Sequence, residues 1–88
     1  MTFQEDRCDD FLAIFEEYRS AIRNQPGCTH LDLLRDVKNT HIFFTYSHWE
    51  SEDHLNAYRD SETFGVVWPK TKALFSDRPE AWSVVNAG

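Results

Sequence analysis

The feature that most constrains this chain is a strand-like segment, residues 41–49, that carries aromatic side chains on both of its faces. Alternate side chains of a strand point to opposite sides of the sheet. One face of this segment therefore carries Ile42, Phe44, Tyr46 and His48, and the other carries His41, Phe43, Thr45, Ser47 and Trp49. A strand with one solvated face alternates cleanly between apolar and polar residues, and this one does not. We predict that its sheet is covered on both faces.

Two helical regions are predicted, one before and one after the strands. Residues 8–22 repeat apolar side chains at the spacing of one helical face, and Pro26-Gly27 stops that helix. After the aromatic strand, Ser51 and Ser61 are suitable N-caps because a serine side chain can accept a hydrogen bond from the first helical turn. The second region is therefore predicted to be helical from Ser51, with a restart at Ser61.

Three further strand-like runs complete the pattern. Residues 29–35 form a hairpin with residues 41–49, and residues 80–86 are predicted as the last strand. Residues 1–4 could be a short strand or the end of one. This order is the split βαβ pattern of α+β ferredoxin-like folds, in which the helices cover one face of an antiparallel sheet. The other apolar face needs a second cover. A homodimer through the sheet is the simplest one, since two-fold dimers are the commonest oligomers.

Length and charge limit the classes of protein that fit. The 88 residues make one domain, residues 1–88, and the net charge of -6 argues against partners that are nucleic acids or anionic membranes. No apolar run approaches the roughly 20 residues of a membrane helix. The start of the chain does not resemble a secretory signal, so we expect a cytoplasmic protein. In that compartment Cys8 and Cys28, which form no C-x-x-C pair, are expected to be buried thiols.

Five short motifs occur in an order and spacing typical of one family. They are Pro26-Gly27-Cys28, Phe43-Phe44-Thr45-Tyr46-Ser47, Trp49-Glu50-Ser51-Glu52, Tyr58-Arg59-x-Ser61-Glu62-x-Phe64 and Trp68-Pro69. Together they resemble the antibiotic biosynthesis monooxygenase family. The resemblance implies a dimeric α+β barrel with a pocket between the sheet and the helices of each subunit. Members usually begin with a full first strand, of which only residues 1–4 remain here.

The function implied by the resemblance is divided. Some members oxidise phenolic polyketides with O₂ and no cofactor, some act on quinols, and some degrade haem. We expect a cofactor-independent monooxygenase or quinol-handling oxidoreductase that acts on a small aromatic molecule; the alternative is a non-catalytic dimeric module that binds a small ligand. Haem degradation is disfavoured, because Tyr58 and Trp68 stand where those relatives have a Trp and the iron-binding His, and an indole offers iron no lone pair.

Three polar side chains are the catalytic candidates. His48 could move a proton near neutral pH, Tyr58 could donate to a substrate oxygen, and Arg59 could neutralise a phenolate. A structural role stays open for each of them. His48 could cap the strand edge, Tyr58 could pack in the core, and Arg59 could pair with Glu62.

The predicted substrate-binding residues are aromatic, and no cofactor or metal is predicted beside them. These residues are Phe44, Tyr46, Phe64 and Trp68. For Trp68, ordinary core packing is the open alternative. His48-Trp49-Glu50 and the nearby His54 superficially resemble a metal motif, but no supporting set of further ligands accompanies them. There is also no glycine-rich phosphate loop, so nucleotide and flavin binding have no support in the sequence.

Overall fold

The computed structural model describes residues 1–88. In chain order its elements are a 3-10 turn (Glu5–Arg7), helix α1 (Cys8–Arg23), strands β1 (Cys28–Arg35) and β2 (Phe43–Trp49), and helices α2 (Glu52–Arg59) and α3 (Glu62–Lys72). Both predicted serine caps are confirmed: the side-chain oxygens of Ser51 and Ser61 accept backbone N–H groups of the first turns of α2 and α3. None of the helices combines the length and apolar character that crossing a lipid bilayer would require.

The sheet is built on the antiparallel hairpin of β1 and β2, as predicted. The first four residues lie along the free edge of β2. There the Phe3 N–H donates to the carbonyl of His41, in the loop that leads into β2, at 2.9 Å. On their other side lie residues 74–76, where the carbonyl of Leu74 accepts from Gln4 N–H at 3.0 Å. The order is therefore β1, β2, residues 1–4 and residues 74–76, antiparallel throughout. This is the predicted α+β ferredoxin-like arrangement, with a first strand reduced to two isolated bridges.

The prediction of a last strand at residues 80–86 is wrong. These residues have no regular secondary structure, and the sheet edge expected for them is taken by residues 74–76. Trp82 and Val84 are 70% and 76% exposed. A strand needs a neighbour that completes its ladder of backbone hydrogen bonds. Alternating apolar residues alone do not supply that neighbour.

The helices and the core lie on one face of the sheet. The rings of Phe3 and Phe11 stack at 4.1 Å, and Phe43 meets Phe11 edge-on at 5.2 Å. The core is thin, with 8 of 88 residues buried, and both cysteines are buried free thiols, as expected. On the opposite face Phe44 and Tyr46 remain 44% and 47% exposed. The chain by itself therefore covers only one of the two apolar faces that the sequence predicted.

Candidate functional site

The alternation of β2 divides the predicted site residues between the two faces of the sheet. Phe43 and Trp49 face the helices, where Phe43 belongs to the core and Trp49 stacks on a side chain of α2. Phe44, Tyr46 and His48 have the opposite parity and point away from the helices. We call these two sides of the sheet the helix side and the open side.

The helix side carries a continuous series of aromatic rings that contact one another alternately by stacking and edge-on, which we call the aromatic layer. Its members, in order of contact, are Trp49, Tyr58, Phe64, Trp68 and Phe75, with successive ring centroids 5.2, 5.3, 5.7 and 5.7 Å apart. The rings of Phe64 and Trp68 are nearly parallel, at 10°. Phe75 continues the series into the core through Phe3, at 5.0 Å. Three predicted residues, Tyr58, Phe64 and Trp68, therefore meet in one place.

Tyr58 is the polar member of the aromatic layer. The pKa of Tyr58 is raised from 10.0 to about 12. The main cause is burial of its phenol, and the neighbouring Cys28 thiol makes a smaller contribution. No protein group makes a hydrogen bond to its hydroxyl, and because no buried side-chain oxygen lacks a partner, this oxygen must reach the surface. A phenol with this pKa stays protonated at neutral pH. Tyr58 is thus a neutral hydrogen-bond donor that is free to serve a ligand.

The raised pKa of Tyr58 predicts a specific loss of stability at high pH. Above pH 10 the unfolded chain releases this proton while the folded chain holds it until about pH 12. The unfolded state then binds fewer protons, so the free energy of unfolding falls as the pH rises through this window. We expect urea unfolding at several pH values between 10 and 12 to show a shallower fall for Tyr58→Phe. Identical slopes for the two proteins would contradict this pKa assignment.

Arg59 does not join Tyr58 in the aromatic layer. It is the next residue of α2, so its side chain leaves the helix in a different direction, and it is exposed. It forms no ion pair with Glu62 or with any other carboxylate. The pairing with Glu62 that the sequence left open for Arg59 is therefore absent.

His48 and Tyr46 belong to a separate cluster on the open side. The ring of His48 lies 4.9 Å from that of Tyr46 and 5.1 Å from that of His30. His30 Nε2 is 2.7 Å from a carboxylate oxygen of Asp32. The sequence analysis missed His30 and Asp32, although the hairpin register would have placed them opposite His48 and Tyr46. Phe44 is on the same side, so the predicted set forms two groups rather than one.

The sequence analysis also missed the position of His54, which it considered only as a metal ligand. His54 Nδ1 lies 2.6 Å from Ser51 Oγ, the same oxygen that accepts the His54 backbone N–H at 3.2 Å. The imidazole packs directly over Gly27, where an added Cβ would lie 2.3 Å from the ring. The signals in the sequence were the i, i+3 spacing from the Ser51 cap and the glycine before β1.

The predicted catalytic residues His48, Tyr58 and Arg59 line neither of the two grooves described for this surface. An open groove of about 370 Å³ lies at the start of α1, and its lining is mostly polar. Its residues are Glu5, Asp6, Cys8, Asp9, Arg35, Thr40 and His41. No group of three or more His, Cys, Asp or Glu side chains is placed to hold a metal ion. The helix side is instead filled by the aromatic layer.

The family of the chain follows from comparison with known proteins. The family model described as antibiotic biosynthesis monooxygenase matches residues 1–67, which is most of the sequence. This chain therefore belongs to the antibiotic biosynthesis monooxygenase family. Membership supports a monooxygenase-like or small-ligand-binding role, and proteins of this family are typically dimers that bind small ligands.

Solved structures of other proteins superpose on the fold of this chain. A conserved protein from Methanosarcina mazei Go1 superposes with a TM-score of 0.85 at 15% identity, covering 90% of this chain and 78% of that one. A crystal structure of an antibiotic biosynthesis monooxygenase gives 0.81 at 22% identity, covering 88% and 81%. In sequence, the mycobilin-producing heme oxygenase of Mycobacterium tuberculosis is 36% identical over 44 residues. That match spans half of this chain and 42% of the relative's length.

Proposed function

We propose that this chain is a cofactor-independent monooxygenase or quinol oxidoreductase that binds a small phenolic molecule on the helix side. The observation that supports this most directly is Tyr58, a protonated phenol with a free hydroxyl that stacks on Trp49 and meets Phe64 edge-on. A flat aromatic substrate can stack on such rings, and a neutral donor can bind its oxygen. The membership of the chain in the monooxygenase family supports the reaction class.

The proposed chemistry uses the electrons of the substrate itself. A phenol or anthrone first loses a proton, and the resulting anion transfers an electron to O₂. Recombination gives a peroxide, which collapses so that a CH₂ group becomes a carbonyl and the second oxygen atom leaves as water. A hydroquinone would instead give a quinone and hydrogen peroxide. The protein must supply an apolar surface, a proton acceptor and a donor to the developing oxyanion. Tyr58 is the proposed donor, and Phe64 and Trp68 are the proposed stacking surface.

Oxygen consumption with a panel of anthrone-type phenols and hydroquinones tests this function. We expect uptake above the spontaneous rate for the wild type and a loss of about 10²-fold in kcat/KM for Tyr58→Phe, the size of effect seen when one oxyanion donor is removed. Tyr18→Phe is the matched control, because that hydroxyl interacts with Lys70 on the outside of α1. His48→Ala tests the candidate on the open side. Uptake that survives in Tyr58→Phe but falls in His48→Ala would transfer the site to the open side.

The alternative function, a non-catalytic module that binds a small ligand, is favoured by the separation of the predicted residues. His48 lies across the sheet from Tyr58, and rings fill the space where an empty pocket would support catalysis. In that case quenching of tryptophan fluorescence would report binding of the same phenols, because Trp49 and Trp68 lie in the aromatic layer. Binding without oxygen uptake for any compound of the panel would establish this alternative.

The open side is the proposed dimer interface. Leu34 and Phe44 lie opposite each other there, 47% and 44% exposed, so a second copy would remove their apolar surface from water. We expect the wild type to sediment at twice the 10.4 kDa chain mass and Phe44→Asp to sediment as a monomer, because a carboxylate buried without a partner is costly. Val37→Asp is the control, since Val37 is 92% exposed in the hairpin loop. A dimeric Phe44→Asp variant would exclude this interface.

We also propose a cytoplasmic setting, which fits the two free thiols.

We do not extend the heme oxygenase name of the mycobacterial relative to this chain. The resemblance would place the iron ligand at position 68, where the indole of Trp68 can only donate a hydrogen bond. Trp68 is moreover packed between Phe64 and Phe75, so its ring is occupied by two protein contacts. These residues do not fit a haem group.

A further inference from the structure

The proposed function needs a proton acceptor on the helix side, and the sequence candidates supply none. His48 is on the open side, and the exposed Arg59 carries a guanidinium, which has donors and no acceptor. A base that serves a substrate next to Tyr58 must come from the elements that hold Tyr58 itself. Those elements are α2 and the adjoining ends of β1 and β2.

His54 and Tyr58 occupy the same face of α2. They are four residues apart, so their Cβ atoms are neighbours at about 5–6 Å. Both side chains also contact the same corner of the sheet: the His54 ring packs on Gly27, and the Tyr58 ring stacks on Trp49. That corner is closed by the Glu50 N–H, which donates to the Gly27 carbonyl at 2.8 Å. The imidazole and the phenol therefore both pack where the start of β1 meets the end of β2.

Ser51 pairs with one imidazole nitrogen of His54 and leaves the other without a protein partner. Its Oγ is 2.6 Å from Nδ1 and also accepts the His54 backbone N–H at 3.2 Å. In the tautomer in which Nδ1–H donates to this oxygen, the lone pair of the neutral ring is on Nε2. No carboxylate is within ion-pair distance of His54. The titratable residues at this corner are Glu50, Tyr58 and Cys28, which lies beside Tyr58. A half-buried imidazole held in this way is oriented and still reachable.

We propose that His54 is the proton acceptor for a phenol bound on the helix side, with Ser51 as its positioning residue. The inference rests on the proposed function. In the step, the phenol O–H bond breaks and an N–H bond forms at Nε2, while the electron pair stays on the substrate oxygen. Tyr58 donates its hydrogen bond to that oxygen. The products are an imidazolium and a phenolate, the form that O₂ can oxidise.

Binding of 4-nitrophenol tests this proposal without turnover, because its ionised form absorbs visible light. We expect the bound phenol to ionise at a pH lower by about one unit in the wild type than in His54→Gln, since the imidazolium favours the adjacent phenolate by about tenfold. His41→Gln is the matched control, because that half-buried histidine lines the groove at α1. Equal ionisation of bound 4-nitrophenol in the wild type and His54→Gln would overturn the assignment while leaving the ligand site intact.

Two outcomes separate this inference from the proposed function. If 4-nitrophenol does not bind to the folded wild type, the ligand site fails and the role of His54 fails with it. If His54→Gln does not fold, the ¹⁵N spectrum of wild-type imidazoles replaces it. We expect neutral His54 to carry its proton on Nδ1 and to become an imidazolium when 4-nitrophenol binds. A proton on Nε2 in the free protein, or no change on binding, would overturn the proposal.

Discussion

Replacing Phe3 by Ala is expected to lower the free energy of unfolding by about 3–5 kcal/mol, the cost of removing a fully buried aromatic ring. Phe3 is 0% exposed, and its ring contacts those of Phe11, Phe43 and Phe75 at 4.1, 5.7 and 5.0 Å. It therefore joins α1, β2 and the last edge of the sheet. Because small domains are stable by only about 5–15 kcal/mol, much of that stability would be lost.

The measurement is urea unfolding followed by circular dichroism, at one protein concentration for all variants. Val37→Ala is the control, because a side chain that is 92% exposed should change the free energy of unfolding by less than about 0.5 kcal/mol. A loss below about 1 kcal/mol for Phe3→Ala would contradict the packing of the first four residues. The short first strand is thus expected to act through one large side chain rather than through a long ladder of hydrogen bonds.

Replacing Gly27 by Ala is expected to cost about 2 kcal/mol or more, whereas Gly65→Ala should stabilise the protein by about 0.5–1 kcal/mol. Gly27 has a φ of 83°, which L side chains avoid, and an added Cβ would lie 2.3 Å from the His54 ring. Gly65 lies inside α3 with no atom within 4 Å of an added Cβ, so alanine there only improves helix propensity.

The pair is informative because the same substitution, glycine to alanine, is expected to destabilise the protein at position 27 and to stabilise it at position 65. Thermal unfolding should show a lower Tm for Gly27→Ala and a higher one for Gly65→Ala. A neutral Gly27→Ala variant would mean that the imidazole of His54 does not lie against the start of β1. In that case the orientation proposed for His54 by Ser51 and Gly27 would lose its basis.

The local elements of this fold could be read from the sequence because short-range interactions determine them. The apolar repeat of residues 8–22 predicted α1, which extends one residue further, and the serines at positions 51 and 61 predicted where α2 and α3 begin. The alternation of residues 41–49 identified which side chains share a face. The order of these elements predicted the split βαβ sheet, and the family resemblance added the expectation of a shortened first strand.

The tertiary structure alone decided which face of β2 meets the helices. Aromatic residues occupy both faces, and apolar attraction is non-directional, so the sequence could not place Phe43 in the core and Phe44 outside it. That choice separated His48 from Tyr58. The last edge of the sheet was assigned wrongly to residues 80–86, because their alternating apolar residues are typical of a strand, whereas residues 74–76 pair with the first four residues.

For the residues proposed for proton transfer, too, the sequence determined the local geometry and the tertiary structure determined the contacts. The sequence alone determined that Ser51 begins a helix and that His54 and Tyr58 share a helical face, because both follow from the geometry of a single turn. Only the tertiary structure brought Gly27 under the imidazole of His54 and Trp49 under the phenol of Tyr58. These contacts join residues more than eight positions apart, and their formation depends on how the whole chain packs rather than on any local preference.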